Sequence, residues 1–120
     1  MEKIDKKIKK QIMELLKEKY PIIAESFKEI QGEQMELFAK KQLDYGVGNI
    51  ALGGDLDNKE DQDLAILGIW IRFNDKLNRI RELLKNKANW VEGEGLADSF
   101  MDLSTYGIIA QMVASGNWKR

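Results

Sequence analysis

The chain has 120 residues, 43% of them apolar and 32% charged, with a formal net charge of -1 and neither cysteine nor histidine. A chain of this size fills one core, so a single helical domain over 1–120 is expected, and its near-neutral charge gives no electrostatic case for nucleic acid or an anionic membrane. Without Cys or His there is no disulfide and no thiolate or imidazole zinc site, so any metal would be oxygen-bound: magnesium, manganese or calcium.

No run of 18 apolar residues occurs, and the charged opening from Met1 to Lys10 does not read as a signal peptide. The expected location is therefore cytoplasmic. From about Lys3 to Tyr20, residues Ile4, Ile8, Ile12, Leu15 and Leu16 form one apolar stripe, flanked by seven lysines. A solvated charged face opposite an apolar stripe is the ordinary pattern for such a helix; a basic arm for acidic partners is the alternative. Pro21 suits the first turn of a second helix, which carries Ile23, Phe27, Ile30, Met35, Leu37 and Phe38 at helical spacing. Gly32 interrupts that pattern and predicts a break or a close helix contact, and Gly46 is placed to end the helix.

Gly46 to Asn58 holds four glycines in 13 residues and reads as a loop, matching neither of the common phosphate-binding glycine motifs. Asp57 or Asn58 then caps a third helix, from about Lys59 to Lys85. Its Ile66, Trp70, Phe73, Leu77, Ile80 and Leu84 follow 4-3-4-3-4 spacing, a bundle seam. After a connector from Asn86 to Gly95, the last helix is predicted from about Glu94 to Ala114, with Gly116 ending it and Trp118 folding back. The fold class is all-α, a four-helix bundle-like domain with a glycine-rich loop between the second and third helices.

Two stretches could carry chemistry. In the last helix Glu94, Asp98 and Asp102 recur at i, i+4 and i+8, stacking three carboxylates, while Leu96, Phe100, Leu103 and Gly107 lie on another face. Like charges at that spacing cost a few tenths of a kcal/mol per pair, which a facing basic side chain or a divalent ion would relieve. In the third helix Arg72, Lys76 and Arg79 form a basic stripe, with Asp75 spaced to pair with Arg79 and with Asn74 and Asn78 alongside. Packed antiparallel, the two stretches make either an interhelical salt-bridge network or a polar cleft holding magnesium and phosphates. Lys41 and Tyr45, beside the glycine loop, add a cation and an aromatic that could stack on a base.

The run Lys41-x-x-Asp44-Tyr45-Gly46, then Asn74-Asp75-Lys76-x-x-Arg79-Ile80, then Glu94-x-x-x-Asp98-x-x-x-Asp102-Leu103-x-x-Tyr106 resembles the phage and bacterial nucleotide modification associated domain family of small helical proteins. The likeness covers about 38–118. It implies a role in nucleotide metabolism or DNA modification, in the host cytoplasm if the chain is phage-encoded. More distantly the chain is similar to the all-alpha, MazG-like nucleoside triphosphate pyrophosphohydrolases, which bind magnesium through an E-x-x-E helix and an E-x-x-D helix. This chain has no E-x-x-E on its central helix and spaces the acids of its last helix by four.

Three readings follow. In the first, a magnesium- or manganese-dependent nucleotide pyrophosphohydrolase, Glu94 and Asp98 are catalytic and Asp75, Glu94, Asp98 and Asp102 hold the metal. Lys41, Asp44, Tyr45, Asn74, Lys76, Arg79 and Tyr106 then bind the nucleotide. The second is a protein that sequesters a nucleotide or nucleotide-derived signal without turnover. The third is a helical oligomerisation or protein-interaction module using the lysine-rich first helix and the tail near Trp118. A homo-oligomer is expected under all three.

Overall fold

The computed structural model describes residues 5–86, 89–91 and 94–120, and these are all-α, with no strand among them. Ile4 of the first stripe and positions 87–88 and 92–93 of the connector lie outside the described residues. The helices are α1 (Lys6–Lys19), α2 (Pro21–Tyr45), a single turn α3 (Gly48–Ala51), α4 (Lys59–Asn86) and α5 (Leu96–Ala114). Four long helices match the pattern in the sequence. The single turn α3 is a surprise within the glycine-rich stretch.

The chain divides into two units, Met1–Leu37 and Phe38–Arg120. In the first unit Asp5 caps α1, its carboxylate accepting from the Lys7 N–H at 2.7 Å. The side chains of Ile8, Ile12, Leu15, Ile23, Phe27 and Ile30 are all exposed, so this unit buries no apolar residue among those described. Pro21 opens α2 as expected, its fixed φ and missing N–H suiting the first helical position. Gly32 neither breaks α2 nor marks a contact: nothing lies within 4 Å of where a Cβ would sit.

The second unit has the core. Ile50, Ala51, Leu56, Ala65, Ile69, Ile109, Val113 and Trp118 bury against one another, with Phe38, Ile66, Phe73 and Tyr106 packed around them. Fully burying side chains such as Ile69 and Val113 stabilises by about 1.5–3 kcal/mol each. Helix α4 packs chiefly on α5, and α3 on α4. The α4–α5 pair is antiparallel: Arg79 meets Glu94, Lys76 meets Asp102 and Phe73 meets Tyr106, one sequence descending as the other climbs.

That packing splits the α4 seam in two. Ile66, Phe73 and Ile80 turn inward, whereas Trp70, Leu77 and Leu84 are each more than half exposed. Both triplets repeat every seven residues, and one neighbouring helix can cover only one of them.

Local signals place the turns. Gly46 has φ 68° and its N–H donates to the Gln42 carbonyl at 2.9 Å, ending α2 as expected. The Asn58 side chain accepts from the Glu60 N–H at 2.9 Å and caps α4. Gly54 lets the chain pass close to Asp61, whose carboxylate accepts from the Asp55 N–H at 2.9 Å. Gly116, with φ 75°, turns the chain after α5. Trp118 then folds back: its indole N–H donates to the Val47 carbonyl at 3.1 Å, and its ring meets Phe38 edge-on at 6.3 Å. Among the described residues no helix is long and apolar enough to cross a membrane.

Candidate functional site

Asp102 is the centre of the polar cluster. It projects from the middle of α5 toward α4, where Lys76 Nζ lies 2.9 Å from Oδ2, and toward the end of α2, where Lys41 Nζ lies 3.5 Å from Oδ1. Lys76 and Asp102 are about three-quarters buried, while Lys41 is roughly half exposed and its contact is long. The tight pair is therefore Lys76–Asp102, and Lys41 is the looser arm. The hydrogen bond to Asp102 holds the Lys76 ammonium above its ordinary value of 10.5, against a smaller opposing effect of burial. The charges of Asp102, Tyr106 and Glu94 add to the upward shift.

One turn from Lys76, Arg72 lies over the Tyr106 ring with its guanidinium carbon 5.7 Å from the centroid, and donates to the Asn49 carbonyl at 2.9 Å. Phe73 meets the same ring edge-on at 6.4 Å, so Tyr106 is fixed from two sides. Lys41 and Lys76 thus meet at a single carboxylate, and Arg72, one turn away along α4, lies over the Tyr106 ring. Arg72 also borders a groove of about 220 Å³, lined by Asn49, Leu52, Gly68 and Ile71. The Asn49 Oδ1 is buried beside it with no hydrogen-bond partner.

The residues read from the sequence are only partly brought together. Lys41, Lys76, Asp102 and Tyr106 share this cluster. Arg79 instead anchors the connector, donating to the Glu94 carbonyl at 3.1 Å and to the Asn89 side chain at 2.7 Å. The expected Asp75–Arg79 pair does not form: Asp75 and Asn74 are exposed, and the Arg79 guanidinium points to the connector. Asp44 and Tyr45 are exposed at the end of α2, with no hydrogen bond or ion pair to Asp102.

The three-carboxylate ladder is corrected as well. Helix α5 starts at Leu96, so Glu94 precedes the capping residue Gly95 and does not stack on Asp98. Asp98 Oδ2 accepts the Gly95 N–H at 3.2 Å, closing the first turn where the positive end of the helix favours a carboxylate. Among the described residues no group of three or more acidic side chains is placed to hold a metal ion, so Asp75, Glu94, Asp98 and Asp102 do not converge as a four-carboxylate site. Of the carboxylates in the ladder, Asp102 is met by basic side chains, Lys76 and Lys41. Arg72, the strongest addition, was visible in the basic stripe, but only the fold shows that it and not Arg79 reaches the aromatic. Compared with known family models, curated proteins and solved structures, the chain finds no match in any of the three.

Proposed function

We propose that the second unit binds the phosphates of a nucleotide or nucleotide-derived small molecule at the Lys41–Lys76–Asp102 cluster. The observation that carries this reading is the excess of cations: Lys41 and Lys76 both meet one carboxylate, and Lys41 is held only at 3.5 Å. A phosphate bears the charge and acceptor oxygens to take Lys41 from Asp102 and to draw on Lys76 and Arg72. The neighbouring groove offers an apolar wall for a base. The resemblance to the nucleotide modification associated domain family supports the same ligand class.

The reading is capture before it is hydrolysis. Magnesium or manganese would enter with the phosphates, since magnesium commonly takes only one or two protein carboxylates beside substrate oxygens. Asp102 is the one carboxylate of the cluster, and both of its oxygens face lysines. Pyrophosphohydrolase chemistry through Glu94 and Asp98 would need both to leave their present roles at the start of α5.

Thermal unfolding against a nucleotide panel, with and without magnesium, tests this, followed by chromatography of the recovered ligand. A ligand at about 100 times Kd adds roughly 2.7 kcal/mol and a clear shift in Tm. Asp102→Asn separates the two chemistries. As a displaced counter-ion, its loss frees Lys41 and Lys76 and tightens phosphate binding; as a metal ligand, its loss abolishes the magnesium-dependent part. Intact recovered ligand with tighter binding by Asp102→Asn is the expected pair of results. No shift with any nucleotide would overturn the proposal.

A further inference from the structure

The exposed half of α4 is a self-complementary seam. Residues 64–71, Leu-Ala-Ile-Leu-Gly-Ile-Trp-Ile, are apolar on every side of the helix, a pattern of helices buried all round, yet Leu64, Leu67, Trp70 and Ile71 are each more than half exposed. Along this side Asp63, Leu67, Trp70, Asn74, Leu77, Arg81 and Leu84 follow 4-3-4-3-4-3 spacing, and all seven are exposed. That is a complete coiled-coil stripe beside the one that packs on α5.

We infer that this stripe pairs with the same stripe of a second copy of the chain, antiparallel and about a two-fold axis. Three observations select that occupant. Charge is the first. Helix α4 is net acidic at its start (Glu60, Asp61 and Asp63 against Lys59) and net basic at its end (Arg79, Arg81 and Lys85 against Glu82), so an antiparallel copy sets each acidic end against a basic one. The lysine-flanked stripe of α1 would match the acidic end and oppose the basic one. Register is the second. A single two-fold axis near position 72 sets Asp63 opposite Arg81, Leu67 opposite Leu77 and Trp70 opposite Asn74, each pair made twice as a two-fold interface requires. The pairs also match in kind: acid with base, apolar with apolar, and an indole N–H with an amide oxygen.

Area is the third. With Ile71 at its edge, five large apolar side chains of this side (Leu67, Trp70, Ile71, Leu77 and Leu84) are each more than half exposed along about five turns of helix, a patch of the extent that marks an interaction surface. Present contacts do not compete. Asp63 holds Lys59 at 2.6 Å and Arg81 touches Asn78 at 3.3 Å, both exposed pairs on the same helix. Such surface pairs are weak and leave the charges open to a partner.

The test is complementation between variants of the full chain. By analytical ultracentrifugation the wild type is expected at twice its 13.8 kDa mass at micromolar concentration. Asp63→Arg alone and Arg81→Asp alone each place like charges at both ends of the seam and weaken dimerisation by about tenfold or more. An equimolar mixture of the two variants restores opposite charges at both ends and returns the dimer. Because the chain has no cysteine, a second measurement is independent of charge. Leu67→Cys mixed with Leu77→Cys should oxidise rapidly to a cross-linked pair. Leu67→Cys alone should not, since equivalent residues then lie about ten residues, or ~15 Å, apart along the seam. A monomeric wild type, single variants that dimerise as well as the wild type, or a mixture without recovery would each overturn the inference.

Discussion

Trp118 is the most demanding residue to remove, because it ties the end of the chain to the start of the second unit. Only 6% of it is exposed, its N–H donates to the Val47 carbonyl, and its ring packs edge-on against Phe38. Trp118→Ala deletes this contact and leaves a large cavity among Ile50, Leu56 and Val113. Aromatic-to-alanine changes in cores cost about 3–5 kcal/mol, and the lost hydrogen bond argues for the upper part of that range. Against a total stability of about 5–15 kcal/mol, a loss near 4 removes a large fraction of the whole. For a chain of this size that lowers Tm by roughly 15 °C. Far-UV circular dichroism at fixed protein concentration, in urea and on heating, is the assay, since self-association would make Tm depend on concentration. Trp90→Ala serves as the control: that side chain is 92% exposed, and its loss should change stability by less than about 0.5 kcal/mol. A Trp118→Ala cost below about 1 kcal/mol would refute the docked tail and with it the present boundary of the core.

Further outcomes follow from the same packing. Gly54→Ala should destabilise by about 1–2 kcal/mol in urea titrations, because a Cβ there would sit 3.1 Å from the Ala51 carbonyl oxygen and 3.0 Å from the Asp61 carboxyl carbon. Gly107→Ala should stabilise by up to about 1 kcal/mol, since a Cβ there meets nothing within 4 Å and alanine is the better helix former. A loss of stability at that site would show another helix lying over α5. The folded-state pKa of Lys76 is raised, so its pair with Asp102 contributes fully below the ordinary lysine value and is lost as pH climbs through the raised one. The stability gap between wild type and Lys76→Met should therefore be constant from neutral pH to about pH 9 and narrow above the ordinary value of 10.5. A gap that persisted unchanged to the most alkaline pH would mean that packing of the lysine stem, not its charge, is what Met replaces.

The residues that govern local turns were legible one by one. Pro21 starts a helix because its ring already holds the helical φ, and Gly46 and Gly116 end helices because they accept a positive φ at little cost. Asn58 caps α4 through a bond two residues along the chain. These effects act within one turn, so the sequence by itself determines the four long helices and the all-α class. Periodicity also set the basic stripe of α4 against the acidic side of α5, so a salt-bridge network was one of the two readings, and Lys76–Asp102 is the pair of it that the fold forms.

What the tertiary structure decided lies beyond that range. Two apolar triplets of α4 have the same seven-residue period, and only packing on α5 selects Ile66, Phe73 and Ile80 over Trp70, Leu77 and Leu84. The helix start at Leu96, two residues later than the spacing of acids suggested, removes Glu94 from the ladder and turns Asp98 into a cap. Lys41 and Asp102 stand 61 positions apart, and Val47 and Trp118 stand 71 apart. Pattern along a chain fixes which face of a helix is apolar or charged, but a face has no address until another helix covers it. Asp102 has such neighbours only in the folded chain, where α4 brings Lys76 and the end of α2 brings Lys41 to its two oxygens.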